Sequence, residues 1–267
     1  SAIAGQEVLV DCEGVDAFGN PALDPADLSV EVDVSVQRTP HYASDFSLRG
    51  TLVGDYTVGC VSESLGASTA ALAPLTVLAG PASQSETLVS ATQVYPEDSV
   101  EVSCAYYDAY GNPVDGVTSE IRVLPSDGSA DGLVVTETSF SAVGAGSYFV
   151  FCASPDQIAG DESPPMVSVL PGLPFTWIVD TLEQDCYWQD REIPMSWTVY
   201  DAYGNPIDDV DVEVTSIPAD GLIQNEDGTY RLTSEADYDL TVRLLSPTAE
   251  DAEINDVVVN VRVDSTP

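Results

Sequence analysis

A six-residue motif recurs three times at nearly constant spacing, and this constrains the fold more than any other feature of the chain. Asp16-Ala-Phe-Gly-Asn-Pro21 returns as Asp108-Ala-Tyr-Gly-Asn-Pro113 and as Asp201-Ala-Tyr-Gly-Asn-Pro206, at steps of 92 and 93 residues. Other landmarks keep the offset. Leu124-Pro-Ser-Asp-Gly128 matches Ile217-Pro-Ala-Asp-Gly221, and Tyr56, Tyr148 and Tyr238 each fall near the end of a copy. The 267 residues therefore read as three related modules, spanning 1–80, 81–171 and 172–267.

Within each copy the apolar period is two. Ahead of the motif, Val8, Val10 and Cys12 alternate with polar residues, as do Val100, Val102 and Cys104, and Ile193, Met195 and Trp197. Later in each copy come Tyr56, Val58 and Cys60; Tyr148, Val150 and Cys152; and Tyr238, Leu240 and Val242. Each copy closes on a further strand-like run, at 75–78, 166–170 and 257–263. Alternation of this kind predicts strands with one buried face, and short strands separated by turn residues predict an all-β sandwich.

The cysteines follow the repeat. Cys12 and Cys60 are 48 positions apart, and so are Cys104 and Cys152. Equal separations in two copies point to two equivalent inter-sheet disulfides and an oxidising, extracytoplasmic location. The alternative is four buried thiols. Trp197 and Val242 stand at the corresponding positions of the third copy, so apolar packing is expected there instead of a bridge. Cys186 is left over, read as a buried thiol or as a bridge to another chain.

The motif itself reads as a rigid turn. Gly19, Gly111 and Gly204 can take positive φ, each following Asn (Asn20, Asn112, Asn205) tolerates it, and Asp16, Asp108 and Asp201 can accept backbone N–H bonds across the turn. A cation site built on the Asp carboxylates is the functional alternative. Asp-Ala-Tyr-Gly-Asn-Pro followed by Val114-Asp-Gly116 resembles the bacterial immunoglobulin-like repeats of invasin and intimin surface proteins. Asp227-Gly-Thr-Tyr230 and Asp237-Tyr238 are similar to filamin-type repeats. The resemblance implies three tandem immunoglobulin-like sandwiches in an extracytoplasmic stalk, adhesin or surface array, with no catalytic residues. The regular disulfide departs from many bacterial members.

Composition removes other classes. Lys+Arg 7 against Asp+Glu 45 gives a net charge of -38. That excludes nucleic acid, whose phosphates need cationic partners. No apolar run reaches the roughly 18 residues of a membrane-spanning helix, so membrane insertion is not expected. A single histidine, His41, read as a loop residue, leaves no His-based triad or His-rich metal site. Asp208, Asp209 and Asp211 are the candidate Ca²⁺ ligands, set against a solvated acidic surface on a salt-adapted protein. Trp177 and Trp188 are candidates for a sugar-binding platform, or for filling a joint between modules. A protein or glycan surface partner is thus possible. Copy one also lacks the opening strand that copy two carries near 86–91. This is read as a cut from a longer array or as an edge filled by strand exchange or a repeat neighbour.

Overall fold

The computed structural model describes residues 1–16, 18–21, 27–32, 35–42, 45–62, 64, 67–68, 72–127, 130, 132–154, 163–180, 186–226 and 228–265. Its secondary structure is β throughout, and among the described residues no helix is long and apolar enough to cross a membrane. The chain divides into two compact units. One holds 1–89, 102–122 and 150–165; the other holds 90–101, 123–149 and 166–267.

In the first unit two sheets enclose a core. One runs Ala2–Ile3, Ala73–Leu78, Gly54–Ser62, Leu28–Val32, with Ala67–Ser68 added beside Gly54–Ser62. The other runs Glu7–Asp11, Asp45–Gly50, Val36–Tyr42. His41 therefore lies in a strand rather than a loop. Val30, Leu48 and Val77, each 1% exposed, fill the space between the sheets. Cys12, one residue past Glu7–Asp11, is bonded to Cys60 of Gly54–Ser62, with Cα atoms 5.8 Å apart. The bridge thus ties one sheet to the other. Cys104 and Cys152 repeat the arrangement at 5.7 Å. Cys104 sits on Val100–Asp108, laddered to Ala82–Val89 so that it faces Thr87, and the Thr87 hydroxyl accepts the Cys152 N–H at 3.0 Å.

The second unit begins with the rest of the second copy. Gln93–Val94 pairs parallel with Met166–Val169, and residues 146–149 pair antiparallel with the same strand. Val100 and Glu101 pair with Phe140 and Ser139. The third copy has three sheets. They are Thr176–Val179, Trp197–Tyr200, Pro206–Ile207; then Cys186–Trp188, Val257–Asp264, Ala236–Leu244, Val212–Ile217; and Glu192–Ile193, Tyr230–Leu232, Leu222–Gln224. Alternation holds along Ala236–Leu244, where Tyr238, Leu240 and Val242 are buried. Tyr187, Ile193, Leu232, Tyr238, Leu240, Val261 and Val263 form its core without a bridge. Val242 is fully buried and Trp197 half-buried. Cys186, read above as a buried thiol, is instead exposed at the start of an outer strand. There its thiol donates to Asp264 Oδ2 at 3.2 Å, and that carboxylate pushes the thiol pKa up.

A staple across a 48-residue separation contributes about 4 kcal/mol by restricting the unfolded chain. Replacing Cys104 and Cys152 together by alanine is expected to lower the unfolding free energy by about that amount, measured by denaturant titration against the oxidised chain.

Candidate functional site

The three copies of the turn are built alike. In the first, the N–H groups of Phe18 and Asn20 both donate to Asp16 Oδ1 at 2.9 Å, and Asn20 Nδ2 donates to Asp16 Oδ2 at 3.1 Å. In the second, Tyr110 and Asn112 N–H donate to Asp108 Oδ1 at 2.8 and 2.9 Å, and Asn112 Nδ2 donates to Oδ2 at 2.8 Å. In the third, Tyr203 and Asn205 N–H donate to Asp201 Oδ1, both at 2.9 Å, and Asn205 Nδ2 donates to Oδ2 at 2.7 Å. Gly19, Gly111 and Gly204 have φ of 83, 82 and 83°, which an L side chain adopts only with strain. The Asp carboxylate is therefore the hub of a closed turn, and a side-chain amide is held rigidly at its exit.

What that amide does differs between copies. Asn112 Oδ1 accepts the Val53 N–H at 3.0 Å, and Asn112 Nδ2 donates its second hydrogen to Thr51 O at 2.7 Å. Asn205 Oδ1 accepts the Ala145 N–H at 2.7 Å, and Asn205 Nδ2 donates to Val143 O at 2.8 Å. In both cases the amide grips a carbonyl and an N–H two residues apart in the preceding copy of the repeat. The loop it grips is itself pinned by a tyrosine. Tyr56 Oη donates to Leu52 O at 2.9 Å and Tyr148 Oη to Gly144 O at 2.7 Å, in each case the carbonyl between the two gripped groups. The Asp closes the contact from the other side. Its Oδ2 accepts the N–H of the linker glycine, Gly80 on Asp108 at 2.9 Å and Gly172 on Asp201 at 2.8 Å. All four side chains are buried: Asp108 1%, Asn112 5%, Asp201 2% and Asn205 8% exposed.

The ring between Asp and Asn lies at the edge of the contact, 38% exposed in Tyr110 and 44% in Tyr203. Arg49 donates to Tyr110 Oη at 2.7 Å, and a Cβ on Gly5, whose φ is 80°, would collide with the hydroxyl end of Tyr110. Glu97 bonds the Tyr203 hydroxyl and pushes its pKa up. Burial acts to raise the Asp108 and Asp201 carboxyl pKa values. The bonds from the Asn side chain, the linker glycine and the turn N–H groups outweigh it and hold both below the usual carboxylate range.

The other candidates do not assemble in this way. Asp208, Asp209 and Asp211 are all exposed, and among the described residues no group of three His, Cys, Asp or Glu side chains is placed to hold a metal ion. Trp177 and Trp188 lie on different sheets. Trp177 is half-buried with Nε1 donated to Asn255 O at 3.2 Å, and Trp188 is 44% exposed. Asp227 lies outside the described residues. Reading the sequence as a turn captured the Asp side of the site and missed the outward grip of the Asn. The available signal was the linker glycine, which precedes the motif Asp by 28 residues in one copy and 29 in the next.

No protein-family model matches the chain, and neither does any curated protein. Solved structures do. The Escherichia coli adhesin FdeC is 16% identical, covers 98% of this chain over 94% of its own, and superposes with a TM-score of 0.48. InvD of Yersinia pseudotuberculosis is 13% identical over 98% of this chain and 96% of its own, with a TM-score of 0.47. Invasin, described as a bacterial integrin-binding protein, is 15% identical over 98% of this chain and 57% of its own, at 0.38. These are likenesses of fold alone. Surface-layer protein SbsC is a further structural neighbour, 17% identical over 99% of this chain and 39% of its own, with a TM-score of 0.37.

Removing the Asn112 side chain takes the partner from the Val53 N–H and the Thr51 carbonyl, both in part-buried bonds, and from the Asp108 carboxylate. Asn112→Ala is expected to cost about 1–3 kcal/mol in a thermal or denaturant titration. The acid limb has a definite sign. A carboxyl whose folded pKa lies below its unfolded value of about 3.9 contributes stability above that pH and loses it as pH falls through the folded pKa. Stability should therefore fall below about pH 4, and Asp108→Asn, already weakened at pH 7, should show a shallower acid limb.

Proposed function

We propose that the chain is an extracytoplasmic structural or adhesive repeat protein. Its three immunoglobulin-like modules, 1–80, 81–171 and 172–267, are joined in series by the Asp–Asn clamp. The observation that carries this reading is the clamp's recurrence, with the same atoms in the same roles, from Asn112 to residues 51–53 and from Asn205 to residues 143–145. A surface turn has no use for a buried amide aimed at the previous repeat. A chain that must hold successive modules in fixed relation does.

Three further features support a surface stalk or array. Two inter-sheet disulfides suit an oxidising compartment. The linkers at Gly80-Pro81 and Pro171-Gly172 are short, with a glycine N–H in each bonded to the clamp, so the connection is part of the joint rather than a flexible tether. A net charge of -38 keeps the surface solvated and discourages association with nucleic acid or anionic lipid. Any protein or glycan ligand is then met by exposed residues or by whatever the array carries, while the clamp sets spacing.

Two measurements test this. Antibody against the chain should stain intact cells that produce it; staining only after permeabilisation would refute a surface location. Asn205→Ala should open the second joint, seen as faster amide hydrogen exchange at Ala145 and Gly172, whose N–H groups are bonded to the clamp, with the strands of either neighbour still protected. Unchanged exchange at both would remove the clamp as the joining element.

A further inference from the structure

The first copy of the clamp is complete and points outward. Asp16 and Asn20 are exposed, and Phe18, where the other copies carry a tyrosine wedged against the preceding repeat, is 90% exposed. The internal bonds of the turn are nonetheless those of the buried copies. The adjoining strand Glu7–Asp11 is the edge of its sheet, whereas its counterparts 100–108 and 197–200 are laddered to Ala82–Val89 and Thr176–Val179. A preformed amide, an exposed ring and an open strand edge lie together.

From this we infer that the Asp16–Asn20 turn is a docking site for the tyrosine-pinned loop of a further repeat of the kind found in copies one and two. This inference rests on the clamp reading above. The partner's chemistry is set by what Asn112 and Asn205 grip: a backbone carbonyl and an N–H two residues apart, bracketing a carbonyl held by a tyrosine hydroxyl. It is also set by Phe18, which lacks the hydroxyl that Tyr110 gives Arg49 and so needs only an apolar or backbone neighbour.

The third copy supplies the reason the partner is not a second copy of this chain. Its own loop is pinned, Tyr238 Oη donating to Ser234 O at 3.2 Å. But the carbonyl equivalent to Thr51 and Val143 is that of Thr233, and Gln189 Nε2 already donates to it at 2.7 Å. The register is fixed by the preceding residue. Gly5 N–H donates to Gly50 O, Glu97 N–H to Ala142 O and Asp190 N–H to Leu232 O, and all three donors have positive φ. One position earlier stand Ala4, Pro96 and Gln189. The first two cannot bond the carbonyl, which is left for the next repeat's Asn, and the third closes it from within. Gln189 thus takes, on the Thr233 carbonyl, the place that an Asn of the next copy takes on Thr51 and Val143, while Asp16–Asn20 is a clamp with nothing in its grip among the described residues.

The repeat offset allows a register-true test. Residues 1–92 are fused ahead of Ser1 of the full chain, which places a second Gly80 against Asp16, a second 51–53 loop against Asn20 and a second 82–89 strand against Glu7–Asp11. In the fused chain, Asn20→Ala in the full-length part should lower the melting temperature as much as Asn112→Ala does, and in the unfused chain it should leave it unchanged. An equal small effect of Asn20→Ala in both chains, or an added segment that stays unfolded when offered in register, would overturn the inference. A neutral Asn112→Ala would instead take down the joint reading beneath it. Sedimentation of the unfused chain should show a monomer; a dimer abolished by Asn20→Ala would replace the assigned partner with a second copy.

Discussion

A carboxylate withdrawn from water must be surrounded by donors, and Asp108 and Asp201 meet that demand with four N–H bonds each. Three come from within the turn and fix its shape. The fourth comes from a glycine 28 or 29 residues earlier and ties that stretch of chain to the turn. Because the carboxylate is satisfied locally, it asks nothing of the neighbouring copy. The Asn it orients is left with one donor and one acceptor to spend outward. The arrangement separates two tasks. The charged group organises the turn, and the neutral amide makes the contact.

That division suits this chain in particular. With seven arginines, no lysine and a net charge of -38, ion pairs cannot hold successive copies together, and the described salt bridges, Glu120 to Arg122, Asp256 to Arg243 and Asp264 to Arg262, are all exposed and each lies within one strand or one neighbouring pair. Exposed pairs of that kind contribute little. An amide bonded to backbone groups is indifferent to the charge of the surface around it, and to the salt that screens that charge. The gripped loop is likewise fixed by a neutral bond, the tyrosine hydroxyl on the carbonyl four residues before it.

Much of this was legible in the residues. Alternation such as that of Tyr238, Leu240 and Val242 marked the buried faces of strands, and the equal Cys separations marked the bridges between sheets. The glycine, the asparagine and the aspartate of the motif announced a closed turn. The joint was not legible, because half of it is backbone. Thr51-Leu-Val53 and Val143-Gly-Ala145 share no side-chain chemistry, and only their position ahead of Tyr56 and Tyr148 makes them equivalent. Cys186 misled for a related reason. It heads a strand, Cys186–Trp188, whose alternation buries Tyr187 and turns both neighbours outward, and three residues are too few to establish phase from sequence.

The third copy shows why a repeat can lose one covalent feature and keep its fold. Without a disulfide it still buries Tyr238, Leu240, Val242, Val261 and Val263 almost completely. Each such side chain contributes about 1.5–3 kcal/mol on burial, so two of them match what a disulfide of this span adds. The clamp has no such substitute. Its three bonds depend on one amide that donates twice and accepts once; a carboxylate has no hydrogen to give the carbonyl, and a hydroxyl, with only one, cannot serve both the carbonyl and the Asp carboxylate. Selection on such a chain can therefore trade sulfur for packing in the core, but at the joint it is confined to Asn. Where Gln189 plugs the third loop, an amide again meets the carbonyl, from a different place in the fold.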